Sequence, residues 1–197
     1  MKKNYFLLSL IVVLTFFAPA IKAQSSVCPV IITQPNELKI DNIDKKTYNG
    51  ADLSCSNAAD GQITVTASGG TTPYQYSKDN GATYQSSNVF SGLSAGIYQI
   101  VVKDANGCTT APQQINITAP AALTMSIEQW DVTCFGDNNG RITVTVSGGS
   151  GKYRFSKDGG SKFTPFQAGN EYTFENLVAG TYNIVAEDEN GCSAACP

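Results

Sequence analysis

The sequence predicts an all-β protein that contains two tandem β-sandwich repeats. The first observation is a period of two in the apolar residues, as in Ile63, Val65 and Ala67, which is typical of a strand with one buried face. The second is a series of turn signals rich in Gly and Asn between short apolar runs, a spacing typical of sandwiches. The third is an internal duplication that covers most of the chain.

The composition excludes several classes of function before any motif is considered. The 197 residues include no His, which removes every catalytic dyad or triad with an imidazole base and every His-ligated zinc or copper site. The 13 Lys and Arg residues against 16 Asp and Glu residues give a net charge of −3, which predicts no surface for nucleic acid or for an anionic membrane. We therefore expect a protein that is not an enzyme and that has no nucleic-acid partner.

Residues 1–23 have the layout of a secretory signal peptide. Lys2 and Lys3 form a positive start, residues 5–21 form an uncharged and mostly apolar run, and small residues lead to Ala23. The alternative is a transmembrane anchor, but the run of 17 residues is just shorter than the ~18 expected for a span. We expect an exported chain, at the cell surface or outside the cell, without a membrane span in its mature form.

The duplication defines the two repeats. Residues 55–81 and 134–160 share the letters C, G, ITVT, SGG, Y, SKD and G at a constant offset of 79 residues. Residues 93–108 and 177–192 match at an offset of 84, so the second copy contains five extra residues before this segment. Matches of this length at nearly constant offset are typical of a duplicated structural unit.

The edges of the repeats also match. Residues IITQPNELKI (31–40) align with INITAPAALTM (115–125), which places Pro35 opposite Pro120. This alignment predicts a first repeat over 35–120, a second over 121–197, and a tail-like segment of a preceding repeat over 24–34. The second repeat lacks a counterpart of QQINIT, so its last strand is expected to be truncated and the chain to be part of a longer array.

The strands follow in the same order in both repeats. After the first strand comes the ITVT strand, then a Gly-Gly turn, an aromatic strand, and the penultimate strand that opens with Tyr98 or Tyr182. These two tyrosines occupy the place of a tyrosine corner. Asn106-Gly107 and Asn190-Gly191 are hairpin signals, because both positions tolerate a positive φ.

The first strand of the second repeat shows a change of phase. Leu123, Met125 and Ile127 share one parity, whereas Trp130 and Val132 have the other. This change predicts a bulge or a switch between sheets. It also predicts that Trp130, the only tryptophan, lies at the centre of the second core.

The cysteines of an exported chain are expected to form disulfides. Cys55 and Cys108 bracket the first repeat, and Cys134 and Cys192 bracket the second, so one disulfide within each repeat is the favoured scheme. A bridge between repeats, such as Cys55 to Cys192, is the rival, because strand direction in an immunoglobulin-like order would place the two cysteines of one repeat at opposite ends, beyond the ~7 Å Cα limit. The two remaining cysteines, Cys28 and Cys196, have no clear partners.

Two further features are candidate binding sites. The acidic turns, such as DANG at 104–107 and DENG at 188–191, place Asp and Asn oxygens in loops and allow a calcium hypothesis, with ordinary turn chemistry as the favoured explanation. We therefore expect no cofactor. Phe163 and Phe166 lie near the five-residue insertion, where exposed rings could stack on sugars.

The combined pattern C…DGxIxVxxSGGxxPYxYSxDxG…FxxLxAGxYxxxVxDxNGC…IxIxxP resembles the SprB repeat. This family is found in cell-surface adhesins of gliding and related Bacteroidetes-type bacteria. The resemblance covers about residues 35–197 and implies an extracellular β-sandwich similar to PKD and immunoglobulin-like domains, strung in tandem. Lys152 replaces the proline that the pattern has at Pro73.

Two functions follow from these observations. The first is an exported adhesin-type repeat module, which serves as a structural stalk, an adhesive surface or both, with an unidentified glycan or protein ligand on an extracellular surface and with further repeats as neighbours. The second is a carbohydrate-binding accessory module of a secreted enzyme. Retention on insoluble polysaccharide that depends on Phe163 or Phe166 would distinguish the second from the first.

Overall fold

The computed structural model describes residues 30–195, and within this range it contains β-strands and no helix. The predicted signal peptide lies outside the described residues, and no helix among those residues has the length and apolarity needed to span a bilayer. The all-β prediction is confirmed. The twelve strands are β1 Lys39–Lys45, β2 Gly61–Ser68, β3 Gln75–Ser77, β4 Val89–Leu93, β5 Gly96–Lys103, β6 Gln113–Ile117, β7 Thr124–Trp130, β8 Gly140–Ser147, β9 Tyr153–Ser156, β10 Glu171–Leu177, β11 Val185–Asp188 and β12 Ser193–Ala195.

The strands β1 to β6 form a first sandwich of two antiparallel sheets, ordered β1-β2-β4 and β3-β5-β6. Alternate residues of both sheets point inward, as the period of two requires. One core cluster therefore contains side chains from both layers: Ile40, Leu53, Ile63, Val65, Phe90, Leu93, Ile100, Val102 and Ile117.

The strands β7 to β12 form a second sandwich with the same order, β7-β8-β10 in one sheet and β9-β11-β12 in the other. Its core is also shared between the layers, with Phe155 fully buried and stacked on Tyr172 at 5.7 Å between ring centroids. The prediction of two β-sandwiches in tandem is thus confirmed by the sheet order.

The predicted burial of Trp130 is wrong. Strand β7 pairs with β8 without a register shift from Thr124 to Trp130, so the even-numbered residues all face away from the core that Met125 and Ile127 help to cover. Trp130 is 43% exposed, and the Arg141 guanidinium lies 4.1 Å from its ring centroid. The expected bulge is found in the first sandwich instead, at Ile40 in β1.

Each sandwich has a tyrosine corner at the predicted place. The Tyr98 hydroxyl donates a hydrogen bond to the carbonyl of Ser94 at 2.9 Å, and the Tyr182 hydroxyl donates to the carbonyl of Val178 at the same distance. These bonds hold the turn that leads from one sheet to the other.

Strand direction gives each sandwich two distinct ends. The upper end carries the Gly-Gly turn and the Asn-Gly hairpin. In the first sandwich these two turns are in contact, because the backbone N–H of Thr71 in the Gly-Gly turn donates to Asp104 in the hairpin at 3.0 Å. The lower end carries the starts of β2 or β8 and the loop before them. In the first sandwich β6 ends at this lower end, beside Gly61 and Leu53.

Asp52 ties the loop at the lower end of the first sandwich to the end of β6. Its Oδ2 atom accepts hydrogen bonds from the backbone N–H and the hydroxyl of Thr118, both at 2.8 Å, and from Lys45 Nζ at 2.7 Å. Burial raises the pKa of Asp52, but the hydrogen bonds from Lys45 and Thr118 outweigh it and leave the pKa below its ordinary value.

The buried loop residue Leu53 offers a test of how strongly this lower end is packed. Leu53→Ala should lower the free energy of unfolding by about 2–5 kcal/mol, because a fully buried leucine leaves a cavity. The matched control is Val132→Ala, at the equivalent and only half-buried position, for which a loss of about 1 kcal/mol or less is expected. Urea denaturation followed by tryptophan and tyrosine fluorescence measures both, and equal losses would contradict the difference in packing.

Candidate functional site

The acidic Asn-Gly turns use their carboxylates for backbone hydrogen bonds. Asp104 Oδ1 accepts from the N–H groups of Asn106 at 2.9 Å and Cys108 at 2.8 Å, and Asp188 Oδ1 accepts from Asn190 at 3.0 Å and Cys192 at 2.9 Å. The hydrogen bond from Thr71 and those within the turn lower the pKa of Asp104. This arrangement is the turn chemistry that short polar side chains supply, and calcium binding there stays the untested alternative.

Chemistry-bearing side chains do not gather in the described part of the chain. Residues 30–195 contain no group of three or more His, Cys, Asp and Glu side chains that could hold a metal ion. Asp79, Asp104 and Asp158 have lowered pKa values, and each of these carboxylates accepts hydrogen bonds within a turn.

The SKD turns have a shared hydrogen-bond scheme. The Ser77 hydroxyl donates to Asp79 Oδ1 at 2.7 Å, and Ser156 makes the same bond to Asp158. Asp79 also accepts from the hydroxyl and the backbone N–H of Thr83. These hydrogen bonds, led by that of the Thr83 hydroxyl, lower the pKa of Asp79 to about 2.

The rings of Phe163 and Phe166, in the loop before β10, both lie against one cation. The Arg154 guanidinium carbon is 4.5 Å from the Phe163 centroid and 4.9 Å from the Phe166 centroid, and its Nη2 atom is 2.8 Å from Glu187 Oε1. Phe166 is exposed and Phe163 is half-buried. Their role as ligand contacts stays a prediction, because the arginine already occupies a face of each ring.

The described cysteines form one disulfide, and it joins the two sandwiches. Cys55 at the lower end of the first sandwich is bonded to Cys192 at the upper end of the second, with Cα atoms 5.6 Å apart. Cys108 and Cys134 are free and exposed. The favoured pairing within each repeat is wrong, and the rival bridge between repeats is the one that forms. Cys28 and Cys196 lie outside the described residues.

Strand direction explains this correction. Cys55 lies next to the start of β2, whereas Cys108 follows the end of β5, and these two strands run in the same direction. The eight residues of β5 span about 26 Å, far beyond the ~7 Å that a disulfide allows between Cα atoms. The lower end of one sandwich and the upper end of the next, by contrast, meet at the junction.

Hydrogen bonds complete the junction around the bridge. Asn49, in a turn of the first sandwich, donates from Nδ2 to Asn190 Oδ1 at 2.8 Å, and Asn190 Nδ2 donates to the carbonyl of Ser54 at 3.2 Å. The same Asn190 amide also contacts the Ser150 hydroxyl of its own sandwich. Asn190 therefore fixes the hairpin that carries Cys192 against the loop that carries Cys55.

The sequence signal for this junction is the position of the cysteines, and the asparagine contacts have no signal of their own. Asn190 belongs to an Asn-Gly pair, and a hairpin turn is a sufficient explanation for such a pair. The sequence therefore gives no sign that the Asn190 side chain also makes contacts across the junction. Asn49 lies in a turn that the second repeat does not share. Sequence reasoning missed both residues for these reasons.

The family model of the SprB repeat matches residues 47–83 and 126–161. The chain therefore carries two segments of SprB-repeat sequence, and the resemblance noted from the motifs is confirmed. The two matches begin in or near the first strand of each sandwich and end in the SKD turns. A comparison with curated proteins finds no match.

Among solved structures, the chain is similar to a C-terminal 282-residue fragment of intimin in complex with the intimin-binding domain of the translocated intimin receptor. The TM-score is 0.38 at 14% identity, with 80% of this chain and 62% of that fragment covered. Fibronectin(III)-like modules of Clostridium thermocellum CbhA give a TM-score of 0.31 at 17% identity, over 80% of this chain and 89% of that one. Dscam gives a TM-score of 0.30 at 16% identity, with 80% of this chain and 45% of the Dscam chain covered.

The Asp79 turn predicts a pH-dependent contribution to stability. Because the pKa is lowered from 3.8 to about 2 on folding, the ionised carboxylate stabilises the folded state above pH ~4, and this contribution is lost as the pH falls towards ~2. Asp79→Asn should lower the melting temperature at pH 7 and make little difference below pH ~2. The control is Glu175→Gln at an exposed position of β10, because the Glu175 side chain makes no hydrogen bond with any of residues 30–195. A difference that persists unchanged below pH ~2 would contradict the assignment.

The bridge between the sandwiches predicts unequal effects of two cysteine substitutions. Cys55→Ser should destabilise the chain by up to about 5 kcal/mol on the chain-entropy model, because the bond closes a loop with a sequence separation of 137. Cys134→Ser, at the equivalent exposed position, should change the free energy of unfolding by less than ~0.5 kcal/mol. Equal effects in denaturant titration under non-reducing conditions would show that the bridge is not formed.

Proposed function

We propose that this chain is an exported, non-enzymatic repeat module that forms an extracellular stalk, an adhesive surface or both. Support comes from the two SprB-repeat segments, the signal-peptide layout of residues 1–23 and the absence of His from the sequence. A stalk needs resistance to pulling more than it needs a pocket. The observation that carries this proposal is the covalent bond between the two sandwiches.

The disulfide changes the path that tension takes through the chain. A force applied to the two ends of the polypeptide passes along β1 to Cys55, crosses the bond to Cys192 and leaves through β12. The strands β2 to β11 lie inside the closed loop. They are consequently shielded from extension for as long as the bond is intact, which suits a module that holds a distal binding site away from a surface.

The loops at the ends of a sandwich are the expected places for adhesive contacts. The loop with Phe163 and Phe166 lies in the segment that contains the five extra residues of the second repeat, and Phe166 is 41% exposed. We keep it as the site for an unidentified extracellular ligand. The alternative function, a carbohydrate-binding accessory module, would use the same rings, although Arg154 competes with a sugar for their faces.

Force spectroscopy on a single chain tests the stalk proposal. When the protein is pulled from its ends without reductant, its extension should lack the length of the 137-residue loop closed by the disulfide, which is about 450–490 Å. With reductant, or in Cys55→Ser, that length should be released as the sandwiches unfold. The matched control is Cys134→Ser, which should behave as the unmodified chain.

Release of the full length without reductant would overturn the proposed path of tension. Binding to insoluble polysaccharide decides between the two functions. Retention that Phe166→Ala abolishes would support the accessory-module alternative, whereas an unchanged flow-through would leave the stalk and adhesin proposal as the better account.

A further inference from the structure

The Asn49 side chain is one of the contacts that hold the two sandwiches together, and it belongs to an Asn-Gly pair. An asparagine followed by glycine can lose its side-chain amide spontaneously. The glycine nitrogen closes a five-membered ring onto the asparagine side-chain carbonyl carbon, and no β-carbon on the glycine hinders that approach. The chain contains five such pairs, which begin at Asn49, Asn80, Asn106, Asn139 and Asn190.

Ring closure needs a glycine nitrogen that is free to lose its proton and to move towards the asparagine side chain. A glycine N–H that donates a hydrogen bond within the fold must first break that bond. In three of the five pairs, the glycine N–H donates to an acceptor in its own turn. These bonds run from Gly81 to the Ser77 hydroxyl at 2.8 Å, from Gly107 to the Asp104 carbonyl at 3.0 Å and from Gly191 to the Asp188 carbonyl at 3.1 Å.

The pair at Asn139 is held by its strand and by its side chain. Gly140 is buried in β8, where a built Cβ would lie 2.9 Å from the Leu177 carbonyl oxygen. The Asn139 amide is fixed at both ends by Thr133, because Oδ1 accepts from the Thr133 N–H at 3.1 Å and Nδ2 donates to the Thr133 hydroxyl at 2.7 Å. Rotation of this side chain towards Gly140 would break both bonds.

The pair at Asn49 is open. Asn49 and Gly50 are the central residues of a hairpin turn with φ values of +48° and +92°, and Tyr48 and Ala51 exchange backbone hydrogen bonds across it. Both central residues are exposed, and the Gly50 N–H donates to none of residues 30–195. The Asn49 side chain makes one hydrogen bond within this range, from Nδ2, the atom that leaves in the reaction.

We propose that Asn49 is a site of spontaneous deamidation, and that its conversion to aspartate or isoaspartate loosens the junction between the two sandwiches. The Gly50 nitrogen loses its proton to water and attacks Asn49 Cγ. The bond between Cγ and Nδ2 then breaks, ammonia leaves with a proton, and a cyclic imide remains. One water adds to either carbonyl of the imide and opens the ring. One amide and one water thus become one carboxylate and one ammonium ion, and no oxidant or reductant takes part.

Deamidation removes a hydrogen-bond donor that crosses the junction. Asn49 Nδ2 donates to Asn190 Oδ1 at 2.8 Å, whereas a carboxylate at residue 49 has only acceptor oxygens. Turning the Asn190 amide over would not restore the contact, because its Nδ2 donates to the Ser54 carbonyl at 3.2 Å and that bond would break. Two acceptors would therefore face each other at the junction.

The new negative charge also lies beside an existing one. Asn49 Nδ2 is 3.0 Å from the position of a Cβ built on Gly151, and Glu189 Oε2 is 2.5 Å from the same position. The two side chains are therefore neighbours, and a carboxylate at residue 49 would repel that of Glu189. Lys152 Nζ, 3.6 Å from Glu189 Oε1, is exposed and offsets only part of this repulsion.

Isoaspartate has a second effect, on the loop that carries Cys55. It routes the main chain through the side-chain carbons and so adds one atom to the backbone of the two-residue turn. The turn is tied to the loop, because the Tyr48 hydroxyl donates to the Asp60 carbonyl at 3.1 Å and Asp60 Oδ1 accepts from the Ser54 N–H at 3.2 Å. A longer turn would shift Tyr48 and disturb both bonds.

Deamidation would act on the chain as it ages, and it is separate from the path of tension. The bond between Cys55 and Cys192 stays intact, so the closed loop is kept while the contacts around it weaken. A force experiment on freshly made protein can therefore succeed or fail independently of the reaction at Asn49.

The first experiment follows deamidation in the folded, oxidised full chain at mildly alkaline pH. After reduction, trypsin releases residues 47–78, in which Asn49 begins the only Asn-Gly pair. Mass spectrometry records the gain of ~1 Da that accompanies loss of the amide. Asn49 should convert at least ~3-fold faster than each of the other four pairs, because those pairs must first break a hydrogen bond or leave a buried strand.

The same chain in urea with reductant is the matched control. The hydrogen bonds that hold the other four pairs are absent there, so all five should convert at rates within ~3-fold of one another. A folded chain in which Asn49 converts no faster than the other pairs would overturn the proposal. A preference for Asn49 that is equally large in urea would do the same, because the fold would then not be its cause.

The second experiment measures the consequence with Asn49→Asp, which reproduces one deamidation product. Its equilibrium constant for unfolding in urea should be at least ~5-fold larger than that of the unmodified chain, because a contact is lost and two like charges adjoin. The matched control is Asn80→Asp, which adds the same charge at an exposed Asn-Gly turn with φ +59° outside the junction. It should change the constant less than ~2-fold.

A double-mutant cycle assigns the effect to the junction. In an Asn190→Ala background the acceptor that faces residue 49 is absent, so the effect of Asn49→Asp should shrink at least ~2-fold. Equal effects of Asn49→Asp in the two backgrounds would show that the loss does not arise at the junction. Equal effects of Asn49→Asp and Asn80→Asp in the unmodified background would also contradict the loosening.

Discussion

The direction of the penultimate strand decides how this protein is joined together. Because β2 and β5 run the same way, the cysteine that precedes one and the cysteine that follows the other lie at opposite ends of their sandwich. A disulfide cannot cross that distance. It can form only where the lower end of one sandwich meets the upper end of the next, and this is where Cys55 and Cys192 are found. The hydrogen bonds of Asn49 and Asn190 depend on the same meeting of ends.

Within residues 30–195, strand β6 packs at the lower end of the first sandwich, and no strand takes the equivalent place in the second. In the first sandwich it covers Leu53 and receives the carboxylate of Asp52, so the loop before Cys55 is buried and fixed. In the second sandwich the equivalents Val132 and Asp131 border an open groove. In the first sandwich, one element of five residues therefore covers a loop that is distant from it in sequence.

Much of the fold could be predicted because every second residue of a short strand with one buried face is apolar. The alternation in ITVT and the Asn-Gly hairpins located strands and turns in both copies, and the tyrosine corners followed from their place after the AG turns. Trp130 was misplaced because a change of parity in sequence has two explanations. Either the strand bulges, or the strand is regular and a large apolar residue faces outward; β7 is regular.

The pairing of the cysteines could be narrowed but not decided from sequence. Equal positions in two repeats favour a symmetrical scheme, whereas strand direction opposes it, and only the distance between Cα atoms resolves the conflict. The site also depends on contacts between side chains that have local explanations of their own. From sequence, Asn190 is explained as part of a hairpin turn, although its side chain also contacts Ser54 of the first sandwich. Phe163 and Phe166 are explained as aromatic residues of a loop, although the Arg154 guanidinium lies against both rings.

A bridge that links each repeat to the next has a consequence that a bridge within each repeat lacks. With bonds inside the repeats, the linker at Ala119–Pro120 would carry all tension between two sandwiches, and that linker would extend first. With the bond between Cys55 and Cys192, the linker lies inside the closed loop together with both cores. Tension then passes from one lower end directly to the next upper end. In two sandwiches joined in this way, the disulfide at the junction carries the tension, and the linker between them does not.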